Sequence, residues 1–469
     1  MNNLLKKITV FLTAGALAAG CASIDVPPQP SLPASAQGDA VAPKQFFNAS
    51  GTALPMTSQW WEGFNDPSMT TLVAKTLKAN RQLDIAQANI SIANASLARQ
   101  RLETSYNVLS NAAGNIGATA TPSLDIGSRT SGGLGASWEY DAFGRIAATI
   151  EAAELNVQAA EQARRDVAVI VSSETALAYV DMRGAQRRLS VAQENAQTQA
   201  QSLELLRQLF DNGRATQLDI SRAESQYRTT LADSPRFQAI IDNAISRLAV
   251  LTGSAASAPD EVLVSLKNTP APTPKFQSGF NIGSPEELIR RRPDIRAAEV
   301  EISRRLALSD IERARLFPTL SFNADITNLL NIGTDIRDIT SLGLGIGPAL
   351  RWEGPDLRRV RADIDIADAQ TNAAFRTYEQ IVIQALSDVE VALSLRLNEE
   401  KRQIDLTRAE EAAREALEIA NLRFEEGIDD FLDVLDAQRT LLAAEDRLAE
   451  NQLQIARLTI LVYRELGGI

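Results

Sequence analysis

Hydrophobic residues along this chain switch from a helical period to a strand period and back, and the same switches recur in the second half. From Leu72 to Glu103 apolar residues recur at Leu72, Leu77, Leu83, Ala86, Ile90, Ala93 and Leu97, the stripe of an amphipathic helix. Pro285 to Phe317 is its counterpart, interrupted by Arg291-Arg292-Pro293-Asp294. Strict alternation follows each helix. Leu320, Phe322, Ala324 and Ile326 face one way, and Thr319, Ser321, Asn323, Asp325 and Thr327 the other. Leu342, Leu344, Ile346, Leu350 and Trp352 oppose Gly343, Gly345, Gly347, Ala349 and Arg351. In the first half Val108, Ala112, Ile116 and Ala118 alternate with Asn107, Asn111, Asn115 and Thr119. Leu134, Ala136, Trp138 and Tyr140 alternate with Gly133, Gly135, Ser137 and Glu139. A period of two means strand, and strands of about ten residues match a tilted membrane crossing. Trp138, Tyr140 and Trp352 fall where strand gives way to helix, as interfacial aromatic residues would.

Two proline-free helical runs follow, Arg145 to Phe210 and Asp356 to Phe424, each about 100 Å long at 1.5 Å per residue. Each ends in a Phe-x-x-Gly segment and is followed by a shorter helix, Gln217 to Thr252 and Asp430 to Leu466. Pro235 is expected to bend the first of these. Glycine tolerates the left-handed turn that ends a helix, so each segment reads as the tip of a helical hairpin. One offset, 214 residues, maps Phe210 to Phe424, Gly213 to Gly427, Leu218 to Leu432, Asp219 to Asp433, Trp138 to Trp352, Arg145 to Arg359 and Gly253 to Gly467. The chain is therefore an internal duplication. Repeat 1 covers 68–253, with a β-hairpin at 106–141 and a tip at 211–216. Repeat 2 covers 285–469, with a β-hairpin at 318–353 and a tip at 425–429. Residues 254–284, with Pro259, Pro270, Pro272 and Pro274, read as the linker between them.

Composition narrows the chemistry. The 469 residues contain 47 Lys and Arg against 59 Asp and Glu, no His and one Cys. The absence of His removes the commonest general base and transition-metal ligand. One Cys excludes an intrachain disulfide and a Cys-based zinc site. An acidic chain without a basic stripe is a poor nucleic-acid binder. The single Cys has a context of its own. Residues 1–20 have a positive start at Lys6 and Lys7, a short apolar core and small residues ending at Gly20, which is an export signal. The stretch Leu17-Ala18-Ala19-Gly20-Cys21 resembles a bacterial lipobox with its Leu one position early. That resemblance implies a mature chain starting at Cys21 and carrying covalent lipid there, and Ala22 after the Cys points to the outer membrane. Residues 21–67 form an extended, lipidated leader rich in Pro, Ala, Ser and Gln, closing on Trp60-Trp61 and Asp66-Pro67.

Four strands cannot close a membrane barrel, and open edges in hydrocarbon leave backbone groups unpaired at several kcal/mol each. Copies must share the barrel. Two chains give an eight-stranded barrel filled by its own side chains, so an open duct needs at least three. The expected fold is an α+β membrane protein: duplicated long helical hairpins forming an α-barrel, and four strands per chain closing as a trimeric 12-stranded β-barrel.

The chain resembles the outer-membrane factor family, the TolC-like exit ducts of tripartite exporters, in its lipoprotein OprM/NodT-type subgroup. The resemblance is carried by Trp60-Trp61 through Asp66-Pro67, Asn80 and Leu83, Leu248 through Gly253, and Leu288 through Glu299 with its Arg292-Pro293-Asp294. It continues at Phe317-Pro318, Leu432 through Arg439, and Tyr463 through Gly468. The second strand-to-helix junction, Glu353 through Arg358, departs from the family pattern in the position of its Gly. The resemblance implies an outer-membrane homotrimer reaching into the periplasm, with a periplasmic adaptor and an inner-membrane RND-type pump as partners and no catalytic site. It implies a periplasmic gate at Leu432, Asp436 and Arg439, and adaptor docking at the tips, Gly213 and Gly427. From the residues alone, Asp436 and Arg439 read as an ordinary solvated helix pair. Asp429, Asp430 and Asp433 lie beside them, and as the lining of a mouth they would favour cations. The cargo implied is small toxic compounds or drugs. A type I protein-secretion duct and a metal-ion efflux duct are the alternatives, the latter disfavoured by the lack of His and only four Met. A structural coiled-coil lipoprotein is opposed by the alternating strands, and an enzyme by the missing His and phosphate-binding loop.

Overall fold

The computed structural model describes residues 26–28, 59–120, 124–277, 285–332, 339–354 and 356–468. The expected signal peptide, Cys21 and most of the leader lie outside these residues. The chain enters through a tight turn, Trp60–Phe64, whose aromatic side chains are buried. Asp66 then caps α1 (Pro67–Ala79), its Oδ1 accepting from the amides of Ser68 and Met69 at 2.9 and 3.1 Å. Sequence periodicity runs on through Asn80, but the structure breaks there. Asn80 is extended, and its Oδ1 accepts from the Gln82 amide at 2.9 Å to start α2 (Arg81–Ser105). An Asn that caps a helix competes with continuing one. β1 (Asn107–Ala120) and β2 (Leu124–Tyr140) follow, then α3 (Arg145–Asp211) and α4 (Gln217–Leu251), which continues through Pro235.

The stretch expected as plain linker contains α5 (Glu261–Asn268), capped by Asp260 and burying Leu263 and Leu266. Asp260 also pairs with Lys75. Repeat 2 opens with α6 (Pro285–Arg291) and α7 (Pro293–Ala314), split at Arg292 as the first copy is at Asn80. It continues through β3 (Thr319–Ile332), β4 (Ile339–Arg351), α8 (Arg358–Glu425) and α9 (Phe431–Glu465). Among the described residues no helix is long and apolar enough to cross a membrane.

The chain divides into two units, and α2, α3, α7 and α8 contribute residues to both. Unit 1, within 1–37, 88–161 and 297–380, holds one antiparallel sheet in the order β1-β2-β3-β4. Pairing of β2 with β3, through Trp138 opposite Phe322, joins the hairpins of the two repeats. The registers put Leu134, Ile326 and Leu344 in one row and Gly133, Thr327 and Gly343 in the next. One face is thus apolar and exposed, with Ile346 91% and Leu344 74% accessible. The opposite face carries Gly, Asn, Asp and Ser. Below the strands Glu139 takes a bidentate ion pair from Arg145 at 2.8 Å. The repeat-2 equivalent differs, because Glu353 is taken by Arg315, which also binds Glu312 and Asp363.

Unit 2, within 38–87, 162–296 and 381–469, holds the main core. Trp60 stacks on Tyr463 with ring centroids 5.5 Å apart, among Phe64, Met69, Tyr179, Met182, Ile241, Leu248 and Ile460. The two repeats close this region with similar bonds from different donors, since the 214-residue offset maps Asn80 to Asp294 rather than to Arg292. Asn80 donates to the Leu251 carbonyl at 2.9 Å, and Arg292 donates to the Glu465 carbonyl, the residue 214 positions on, at 2.7 Å. The linker is held by buried polar groups. Arg183 donates to the Thr269 carbonyl (2.7 Å), to Gln186 (2.8 Å) and to the Tyr179 hydroxyl (3.1 Å). Gln186 donates to the carbonyls of Leu266 and Lys267.

Candidate functional site

The two hairpin tips share a core in unit 2. Leu203 and Leu206 of α3, Ile220 and Ala223 of α4, Ala420 of α8, and Phe431, Val434 and Leu435 of α9 pack into one cluster. Each tip is built by the same turn. The amide of Arg214 reaches back to the Leu209 carbonyl at 2.8 Å, and that of Ile428 to Arg423 at 2.9 Å. This closure needs a left-handed residue, and Gly213 and Gly427 supply it at φ 72° and 71°. A Cβ built on either would meet nothing within 4 Å, so both tips face open space.

The return helices start differently. Thr216 and Asp219 form a reciprocal capping box on α4. Asp430 caps α9 with its backbone alone, which leaves its carboxylate uncommitted by the cap. Asp429 is committed: it forms a two-oxygen ion pair with Arg423, and the hydrogen bond from that guanidinium holds its carboxyl below the usual range. The acidic group expected at the mouth is thus partly neutralised by Arg423, a partner that spacing in the sequence did not suggest.

α9 buries Phe431, Val434, Leu435, Gln438 and Leu441 and exposes Leu432, Asp433, Asp436, Arg439 and Thr440. Burial of one face fixes the other, so Leu432, Asp436 and Arg439 lie on a single exposed stripe, as their 4- and 3-residue spacing requires. Leu432 is 50% accessible. Among the described residues, Asp436 and Arg439 form no ion pair with each other or with any other group of the chain. The same stripe on α4 carries Leu218, Arg222 and Ser225, all exposed. The repeat offset places Arg222 where repeat 2 has Asp436, a charge reversal readable from the duplication.

Trp138 and Tyr140 are on the apolar sheet face, 46% and 53% accessible, with Trp138 stacked on Phe322 at 5.8 Å. Trp352 sits just past β4 and is held differently: its indole N–H donates to the Leu316 carbonyl at 3.0 Å, and the side chain is half-buried. Cys21 lies outside the described residues.

A sequence profile described as "Outer membrane efflux protein" matches residues 74–254 and 284–468, one span for each repeat. Nodulation protein T of Rhizobium leguminosarum bv. trifolii is 29% identical over 418 residues, covering 87% of both chains. The toluene efflux pump outer membrane protein TtgI of Pseudomonas putida is 27% identical, covering 96% of this chain and 95% of the relative. The solved structure of the outer-membrane channel OprN superposes with a TM-score of 0.83 at 33% identity, covering 95% of this chain and 99% of that one.

Proposed function

The chain belongs to the outer membrane efflux protein family, and we propose that three copies of it close into a passive exit duct that carries small toxic compounds or drugs across the outer membrane. The observation that carries this reading is the open sheet of unit 1. It has an apolar exposed face, an opposite face of Gly and polar residues, and edge strands β1 and β4 that pair with no other described strand. In lipid those edges must be paired. Joining β4 of one copy to β1 of the next satisfies them, puts the apolar face against lipid and turns the Gly-rich face toward water. Twelve strands leave a lumen that eight would fill.

In unit 2 the exposed stripe on α9 acts as the gate. Three copies of Leu432 form an apolar constriction, with Asp436 and Arg439 beside it. Both charges lack a partner among the described residues, and their pairing across subunits holds the closed state. The exposed tips at Gly213 and Gly427 receive a periplasmic adaptor, and an inner-membrane pump of the resistance-nodulation-division type supplies the energy. Lipid on Cys21 anchors the leader in the outer membrane. Single-channel recording in planar bilayers tests this. Wild type is expected to open rarely, and Asp436→Ala and Arg439→Ala each to raise conductance or open probability. Unchanged currents in both variants would remove the gate.

A further inference from the structure

Arg313, in unit 1, is a buried cation whose side chain is only 7% accessible. A guanidinium has five N–H groups and is expensive to bury unless they are satisfied. Here every one of its nitrogens is engaged. Three acceptors come from its own neighbourhood: Nη2 pairs with Asp368 at 2.8 Å, and Nη1 donates to the Ser309 carbonyl at 3.5 Å and to the Ser309 hydroxyl, which in turn donates to Asp368 at 2.7 Å. The remaining two come from the leader: Nε donates to the Pro27 carbonyl at 3.2 Å and Nη2 to the Pro28 carbonyl at 3.0 Å.

The duplication provides an internal comparison. The offset places Arg99, Ala95 and Glu154 where repeat 2 has Arg313, Ser309 and Asp368. Ala95 offers no hydroxyl, Glu154 is taken by Arg101 at 2.5 Å, and Arg99 is 72% accessible beside Glu103. The same scaffold position is therefore a solvated arginine in one copy and a buried, peptide-engaging arginine in the other.

We propose that Arg313, Ser309 and Asp368 form a docking site for the chain's own proline-rich leader, with Val26-Pro27-Pro28 as its ligand. The ligand chemistry suits the site. Pro-Pro presents carbonyls and no N–H, so it matches a donor-only guanidinium, and its fixed φ lowers the entropy lost on docking. Resting on the reading of Cys21 as lipidated, the site also limits anchor reach. The five residues from Cys21 to Val26 span at most about 18 Å, so the lipid lies within that reach of the docked Val26.

The test is a nitroxide on Val26→Cys in the full-length protein. Val26 is 40% accessible, which leaves room for the label, and on the reading above Cys21 carries lipid in this background. The spectrum should be dominated by an immobilised component. Arg313→Gln and Asp368→Asn should each reduce that component several-fold, and Arg99→Gln should leave it unchanged. Pro27→Gly/Pro28→Gly, which leaves the body untouched, should also mobilise the label, so the test holds even if Arg313→Gln fails to fold. A mobile label in the parent, or an immobile one in folded Arg313→Gln, overturns the proposal. Repeating the measurement in Cys21→Ser separates the two readings. Immobilisation that persists there belongs to the clamp, immobilisation that vanishes belongs to the lipid and overturns the clamp, and the parent's mass reports the lipid independently.

Discussion

Four glycines end helices in the left-handed region, yet only two of them are crowded, and alanine should sort them. At Gly213 and Gly427 an added Cβ meets nothing within 4 Å. Alanine there carries only the left-handed backbone cost, roughly 1–2 kcal/mol. At Gly253, φ 81°, the Cβ would lie 2.4 Å from the Ala79 carbonyl oxygen, well inside contact distance. Backbone must move, adding about 1–3 kcal/mol of overpacking. That shift also strains the bond from Asn80 to the Leu251 carbonyl, worth about 1 kcal/mol. Gly467, φ 79°, is intermediate, with its Cβ at 3.1 Å from Arg292 Cα. Gly253→Ala should therefore lose about 3–6 kcal/mol, about three times the loss at either tip. Thermal unfolding of the four purified variants, followed by helical circular dichroism, gives the order. The reasoning predicts Gly253→Ala the least stable, then Gly467→Ala, with the tip variants nearest wild type. Tip variants as unstable as Gly253→Ala would refute it.

Other consequences follow from the same geometry. Gly427→Phe should abolish efflux by blocking adaptor docking while lowering Tm no more than Gly427→Ala, and full efflux would remove the docking role. Burial, then the charge of Asp294, raises the Asp166 carboxyl above its usual value, with Arg292 opposing. A carboxyl raised on folding favours the folded state below its unfolded pKa and loses that contribution as pH rises through its folded pKa. Asp166→Asn should then raise Tm at pH 7, with the gain vanishing as pH falls through the carboxylate range, and a lower Tm at pH 7 would contradict this. Arg183→Met strips a donor from Thr269, Gln186 and Tyr179; Thr269 is exposed and Tyr179 keeps its bond to Asp66, so the buried Gln186 oxygen sets the cost at about 1–3 kcal/mol. Amide exchange in α5 should accelerate, and unchanged exchange would show that Arg183 does not hold the linker.

The long elements were legible because their signals are local. The first long helix was expected over Arg145–Phe210 and ends at Asp211, since the tip glycine marks the stop. Strand faces read from alternation agree with the register that aligns Leu134, Ile326 and Leu344. Features set by distant partners were not legible. Periodicity runs smoothly through Asn80, and only the Leu251 carbonyl shows why the chain breaks there. The β2–β3 pairing joins segments almost two hundred positions apart. At the candidate site, the exposed stripe of α9 followed from helical spacing, whereas the capture of Asp429 by Arg423 depends on the path of the turn. Trp352 repeats Trp138 in sequence, but a carbonyl of α7's C-terminal turn binds its N–H and sets it apart.

On the proposed reading, two further copies of the chain complete the open four-stranded sheet. Native mass spectrometry of the purified mature protein in detergent tests it most directly. A stable species of three chains is expected. A stable monomer would mean that the edges of β1 and β4 are satisfied some other way, and would contradict the duct.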